Sequence, residues 1–161
     1  MKKFNFKSGF TRTLSSKVSG FTLIELLVVV AIIGILASVV LASLNTARTK
    51  GADAAVKATM KSLTSQAALY YDDKGGNYGN ISGLNSDCST GVFSDPNILQ
   101  MIGNIRNNHL PNGDLFCTGD GTTLSQTYAI SAVLKGGDSW CVDSTGFSGI
   151  GNAETSPGIC Q

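Results

Sequence analysis

Proline and histidine are both scarce in this chain of 161 residues. It contains three prolines and none of them precedes Pro96, so no proline interrupts a helix before that point. The single histidine, His109, lies in a predicted loop, and we interpret it as a surface residue rather than a catalytic one. The chain also lacks a Ser-His-Asp order, a nucleophile elbow and a phosphate-binding loop. We therefore predict that the protein is not an enzyme and has no cofactor.

Acidic residues are absent from the first 20 residues, which are basic. The five positive charges of this segment are Lys2, Lys3, Lys7, Arg12 and Lys17. The rest of the chain holds seven Lys and Arg against eleven Asp and Glu, which gives a side-chain charge of −4. An acidic main part argues against nucleic acid as a partner, because phosphate binding depends on positive charge.

Charge of either sign is nearly absent from residues 21–44, an apolar run whose only charged residue is Glu25. As one α-helix this run would be about 36 Å long, enough to cross a hydrocarbon core of about 30 Å. The small residue Gly20 precedes the run, whereas an ordinary signal peptide is cleaved after a shorter apolar stretch. Basic flanks tend to stay in the cytoplasm, so we expect one membrane crossing with the C-terminal part outside.

The segment from Gly20 to Leu26 reads Gly-Phe-Thr-Leu-Ile-Glu-Leu and leads into the apolar helix. It resembles the class III signal of type IV pilins and of the pseudopilins of type II secretion systems, and the resemblance covers roughly residues 1–75. It implies that a membrane-embedded aspartyl prepilin peptidase cuts between Gly20 and Phe21 and methylates the new amine of Phe21. It also implies a subunit that first lies in the lipid of the cytoplasmic membrane. An assembly platform would then move it into a helical filament of like subunits, outside the cell or in the periplasm.

Several alternatives stay open at this point. The filament can be a pilus or the shorter pseudopilus of a type II secretion system. The two disulfides predicted for the head favour a surface-exposed pilus. A monomeric membrane-anchored binding module and a secreted domain freed by ordinary signal peptidase are weaker rivals. A simple anchor has no use for Gly20 before the span or for Glu25 within it. The mature N-terminus separates them: Phe21 for a prepilin, Met1 for an anchor, a residue beyond about Ala42 for a secreted domain.

Glu25 and Gly34 are the two residues of the apolar run whose presence in a membrane-spanning helix needs an explanation. A charge inside such a helix costs about 2.5–3.5 kcal/mol near the bilayer centre, so Glu25 should have a partner. The favoured hypothesis is the amine of Phe21 on a neighbouring subunit, and the alternative is a solvated side chain at the headgroups. Gly34 permits close helix packing. The resemblance implies that this stretch can unwind in the filament, but residues 40–42 contain no proline and melting stays open.

Residues 45–72 are predicted to continue the helix as an amphipathic segment. Its apolar side chains recur at steps of four and three along one face: Val56, Met60, Leu63, Ala67 and Tyr70. This stripe is the predicted contact with a head domain, and polar and glycine residues predict that the helix ends near Tyr71. Its basic residues are Arg48, Lys50, Lys57 and Lys61. We interpret them as a solvated or inter-subunit face, with contact to nucleic acid as the weaker reading.

Residues 73–161 are predicted to form a glycine-rich globular head. A short helix at about 95–107, opened by a cap and a first-turn proline in Ser94-Asp95-Pro96, would carry four apolar residues: Ile98, Leu99, Ile102 and Ile105. A β-hairpin is predicted at about 127–143, with a further strand at Leu115–Cys117 and a closing loop at 144–161. The predicted fold class is α+β and pilin-like, a long N-terminal helix packed on a small antiparallel sheet.

All four cysteines lie on the side predicted to be exported, where disulfides persist. They are Cys88, Cys117, Cys141 and Cys160. No Cys-x-x-Cys is present, so a zinc ribbon or a thioredoxin-like pair is not supported. Of three possible connectivities we favour Cys88–Cys117 with Cys141–Cys160, because each closes a local loop, although sequence alone does not settle the pairing.

No metal site is predicted, but three acidic residues are weak calcium candidates. The major pseudopilins that the chain resembles often hold calcium in their C-terminal loops. The residues that could approach one another here are Asp138, Asp143 and Glu154. Their spacing matches no known calcium motif.

Overall fold

The computed structural model describes residues 20–81, 84, 87–108, 110, 115–153 and 158–161. Its helices are α1 (Leu23–Asp73), a 3-10 helix (Gly91–Ser94) and α2 (Pro96–Asn108). Its strands are β1 (Leu115–Gly119), β2 (Tyr128–Val133), β3 (Ser139–Asp143) and β4 (Ser148–Ile150). The chain divides into two compact units at residue 41, which lies within α1. The predicted α+β, pilin-like class is confirmed, with a long N-terminal helix and a four-stranded antiparallel sheet.

The first unit contains the apolar part of α1. Every residue from Gly20 to Ala47 is exposed, so no other part of the described chain buries the apolar side chains of this stretch. By length and composition the helix is long and apolar enough to cross a membrane, with a mean hydropathy of 3.0 over its most apolar window. The structure therefore leaves a large apolar surface for lipid or other chains to cover.

In the second unit, the later part of α1 packs on the sheet through the predicted stripe. Val56, Met60, Leu63 and Ala67 are buried, because their spacing places them on one face of the helix. Tyr70 is half-buried at the edge of the core. The helix ends two residues later than predicted, at Asp73, where Gly75 and Gly76 take positive φ angles of 72° and 83°.

The sheet has the order β1-β2-β3-β4, with every neighbouring pair antiparallel. Cys117, Ile130 and Val142 lie side by side across three strands and belong to the same core cluster as the α1 stripe. Alternate residues face the other way, where Ala129 and Cys141 form a second cluster with residues 153 and 160. Both sides of the sheet centre are thus buried.

Asp53 of α1 fixes the β2–β3 turn to the helix. Its Oδ1 accepts the backbone N–H of Lys135 at 2.9 Å, and its Oδ2 accepts that of Gly136 at 3.1 Å. One turn further along, the Nζ of Lys57 lies 4.4 Å from the centroid of the Trp140 ring. These contacts add direction to the packing that the apolar stripe supplies.

Helix α2 begins as the sequence predicts. The Oδ1 of Asp95 accepts the N–H groups of Asn97 at 2.9 Å and Ile98 at 3.3 Å, and proline occupies the first helical position. Leu99, one of the four apolar residues predicted for this helix, is 41% exposed, because it lies one residue off the face of the buried Ile98.

Two disulfides hold the head. One joins Cys88 to Cys117 and the other joins Cys141 to Cys160, which is the sequential pairing. The second closes the C-terminal segment onto the sheet. There the backbone groups of Asn152 and Gln161 exchange hydrogen bonds of 2.6 and 3.2 Å.

Strand β4 corrects the prediction that residues 144–161 form only a loop. Ser148–Ile150 pair with β3, placing Gly149 opposite Cys141. The segment lacks the alternating apolar pattern of a strand, and its central residue is a glycine. It is recruited because the outer edge of β3 carries backbone groups that need hydrogen-bond partners.

Replacing Met60 by alanine tests how much the α1 stripe stabilises the head. Met60 is fully buried, so Met60→Ala should lower the free energy of unfolding by about 2–5 kcal/mol. Urea unfolding of the full chain in detergent, followed by the fluorescence of Trp140, measures this change. The exposed Ser62→Ala is the matched control and should stay within about 0.5 kcal/mol. Equal stability of the two variants would contradict the packing.

Candidate functional site

The candidate site lies at the start of α1, where Thr22 and Glu25 form a capping box. The backbone N–H and the hydroxyl of Thr22 both donate to the Oε2 of Glu25, each at 2.8 Å. In return the N–H of Glu25 donates to the Oγ1 of Thr22 at 3.2 Å. Two N–H groups that a helix start leaves without partners are thereby satisfied within the chain.

This capping box gives Glu25 a partner that sequence reasoning missed. The signal was present, because Thr22 and Glu25 have the Thr-x-x-Glu spacing that precedes an apolar run in capped helices. The hydrogen bonds hold the carboxylate beside the backbone of Thr22, one residue from Phe21. They use Oε2, whereas Oε1 takes no part in them.

Gly20 and Phe21 precede the helix and are both exposed, with Phe21 at 84%. Among the described residues, no atom lies within 4 Å of a Cβ built at Gly20, so contacts in this part of the chain do not require glycine there. The same holds for Gly34, through which α1 runs as a continuous helix. The described contacts thus give no reason for glycine at either position. Of the predicted leader, residues 1–20, all but Gly20 lie outside the described part of the chain.

The calcium candidates are not brought together in the described residues. Asp143 is 2% exposed, and its oxygens accept backbone N–H groups from Thr145, Phe147 and Cys160 at 2.9–3.1 Å. Asp138 is exposed in the β2–β3 turn. Glu154, like His109, lies outside the described residues. Among the residues that are described, no three His, Cys, Asp or Glu side chains are grouped to hold a metal ion.

Two groups with strongly shifted pKa values have structural roles. Partial burial raises the pKa of Asp120, but hydrogen bonds from Thr122 and Gln126 outweigh it and lower that pKa to about 2. Burial raises the pKa of Tyr128, whose ring packs edge-on against Tyr78 and Phe93. Neither group titrates near neutral pH, where a general acid or base would act.

Comparison with known proteins gives one match. Residues 15–41 match the family model of the prokaryotic N-terminal methylation motif. This motif is the class III signal of type IV pilins and pseudopilins, so the resemblance seen at Gly20–Leu26 is confirmed, and it supports a precursor of that general kind. The motif is that of structural subunits rather than of enzymes. No curated protein and no solved structure matches the chain.

A structural role for Asp143 predicts a loss of stability when its carboxylate is removed. Asp143→Ala leaves the buried N–H of Cys160 and that of Phe147 without their acceptor, so unfolding should become easier by about 2–4 kcal/mol. Urea unfolding with intact disulfides measures this. Asp143→Asn keeps one acceptor oxygen and should lose less, and the exposed Asp138→Ala should change little. A stable Asp143→Ala would show that water replaces the carboxylate.

Proposed function

We propose that this protein is a prepilin, the membrane-inserted precursor of a filament subunit. Prepilin peptidase would cleave it after Gly20, methylate Phe21, and release a subunit that assembles through α1. The observation that carries the proposal is the methylation motif at residues 15–41, placed at the start of an apolar helix whose side chains no described residue of the same chain buries. Neither an anchored monomer nor a secreted domain accounts for both features.

In this proposal the basic leader stays in the cytoplasm and the head lies on the opposite side of the membrane. Lipid covers the apolar part of α1 before assembly, and the helices of like subunits cover it in the filament. The partners are therefore prepilin peptidase, an assembly platform in the cytoplasmic membrane, and further copies of the subunit.

Glu25 is proposed to receive the amine of Phe21 from a neighbouring subunit. Its Oε2 is engaged by Thr22, which orients the carboxylate and leaves Oε1 for that amine. At about 4 Å and an effective dielectric constant of about 20, such a pair gains roughly 4 kcal/mol before desolvation. Because the surrounding helices are apolar, one charge pair per subunit would define which register is correct.

A pilus is the first proposal for the filament, and a type II secretion pseudopilus is the second. Two disulfides in a head of modest size suit a filament exposed outside the cell. Electron microscopy of material sheared from the cell surface distinguishes the two. Long filaments containing this subunit support the pilus, and their absence from cells that secrete through the same machinery supports the pseudopilus.

Cleavage is predicted to require Gly20. A peptidase that cuts before the apolar helix must accept this residue without a side chain, so Gly20→Val should leave the full-length precursor. Co-expression with a prepilin peptidase, followed by mass spectrometry of the N-terminus, measures processing. Gly34→Val is the matched control, because it adds the same side chain within the helix and should still yield Phe21 as the first residue.

Equal cleavage of wild type and Gly20→Val at the same bond would remove the claim that Gly20 is recognised. A mature N-terminus beyond about Ala42 would instead indicate ordinary signal peptidase and overturn the prepilin proposal.

Assembly is predicted to depend on Glu25, while cleavage and folding of the head do not. Glu25→Ala makes the helix more apolar, so the subunit should insert and be processed, but an incoming amine would lack its partner. We expect Glu25→Ala to be nearly absent from the sheared filament fraction and Glu25→Gln to be intermediate or similarly poor. Immunoblots of the membrane and sheared fractions provide the measurement.

Thr22→Val is the control that separates the two roles of Glu25. It removes the hydroxyl of the capping box and keeps the carboxylate, so it should assemble better than Glu25→Ala. Wild-type amounts of filament from Glu25→Ala would show that this carboxylate is only a solvated residue at the membrane edge.

A further inference from the structure

The chain beyond the apolar run is divided by charge along its length. Residues 45–61 carry four positive side chains and one carboxylate, whereas residues 62–161 carry three positive and nine acidic side chains. The carboxylate in the first group, Asp53, accepts the N–H groups of the β2–β3 turn. A basic segment of α1 is thus followed by an acidic remainder. The basic segment of one molecule therefore attracts the acidic part of another.

Three of the four positive side chains lie on one face of α1, to the side of its buried face. Lys50, Lys57 and Lys61, here called the basic face, fall within about 40° of one another around a helix of 3.6 residues per turn. The buried Val56 and Met60 lie roughly 100° away around the same axis. Lys50 and Lys61 are exposed, while Lys57 is half-buried and its Nζ lies over the Trp140 ring.

Small residues separate these lysines on the helix surface. Four of them are exposed on the same side: Ala54, Ala58, Ser65 and Ala68. Another chain can approach the helix closely where the helix carries only small side chains. The longer lysine side chains can then contact that chain.

Acidic side chains gather at the other end of the amphipathic segment. A groove of about 490 Å³ between the end of α1 and the start of α2 is bordered by Asp72, Asp73 and Asp95, here called the acidic rim. One cation, Lys74, borders the same groove with its Nζ 5.7 Å from the Tyr70 ring, which leaves two net negative charges. Asp72 and Asp73 are both exposed.

The basic face and the acidic rim are too far apart to meet within one molecule. The step from Lys61 to Asp72 is about 16 Å along the helix, and that from Lys50 to Asp72 is about 33 Å. Around the axis Asp72 lies only about 20° from Lys61, whereas Asp73 lies roughly 140° from Lys50. Complementary patches at different heights on the helix make a head-to-tail contact. Contacts of that type generate helical filaments when the rotation does not close a ring.

We infer that the basic face of one subunit docks against the acidic rim of a second copy of this chain. The inference rests on the proposed filament function and names the surfaces through which the subunits recognise one another. Exposed ion pairs contribute little affinity individually, so the apolar helices supply the attraction. The charges instead steer the incoming subunit and select its register, and salt should weaken this effect because the Debye length is about 10 Å at 0.1 M.

Charge reversal in cells that assemble the filament tests the inference. The double variant Lys50→Glu with Lys61→Glu should reduce the sheared filament fraction by about tenfold, and Asp72→Lys with Asp73→Lys should do the same. Combining all four substitutions restores opposite charges and should return the fraction to within about threefold of wild type. Lys135→Glu is the matched control, because it reverses an exposed lysine outside both surfaces and should leave assembly unchanged.

Processing and folding are measured for every variant, by the Phe21 N-terminus and by urea unfolding, so that a failed precursor is not mistaken for a failed contact. Wild-type filament levels in both double variants would overturn the inference and leave the proposed function intact. A loss that the fourfold variant does not restore would also overturn it; if membrane retention falls as well, the lysines act on anionic lipid headgroups. Absence of filaments from the wild type, with its machinery present, would overturn the proposed function itself.

Discussion

The uncovered apolar part of α1 is the constraint on which the rest of the molecule depends. Sixteen large apolar side chains between Phe21 and Leu44 are exposed in the single chain. Burying each is worth about 1.5–3 kcal/mol, so the surface must be covered by something. Lipid tails and a bundle of helices are similarly apolar. Moving the helix from lipid into a bundle therefore changes the free energy of burying its apolar side chains little. In the proposed function, polar groups with defined directions, such as Glu25, would therefore decide between membrane and filament.

The parts of the fold that follow a strict period are predictable from the sequence. Met60 and Leu63 lie on a stripe with helical spacing, because one face of the helix must be buried against the sheet. The hairpin of β2 and β3 is predictable for the same reason, since alternating apolar residues flank a glycine-bearing turn. Asp95 before Pro96 is a local signal that needs no tertiary contact. These patterns suffice for the fold class.

Features that depend on distant partners leave no such local signal. Strand β4 forms because the edge of β3 needs partners, and Gly149 itself does not favour a strand. From the sequence, Asp53 looks like an ordinary charged residue on a helix. Its hydrogen-bond donors belong to the β2–β3 turn, more than 80 residues later, and only the fold brings them to it. Asp143 looks like a possible calcium ligand until the chain returns at Cys160. Thr22 differs, because its partner is three residues away and its capping signal is readable.

In the proposed assembly, the acidic rim would link docking to the folding of the head. It combines residues at the end of α1 with Asp95, the cap of α2, so the rim exists only when α2 is packed. That packing belongs to a core in which Cys88 and Cys117 are both buried and bonded. A disulfide closing a loop of about 30 residues stabilises a fold by roughly 3–4 kcal/mol on the chain-entropy model. Since such bonds form outside the cytoplasm, the docking surface would be complete only after export, whereas the apolar helix is available from the start. Assembly through charge would thus select subunits whose heads have already folded.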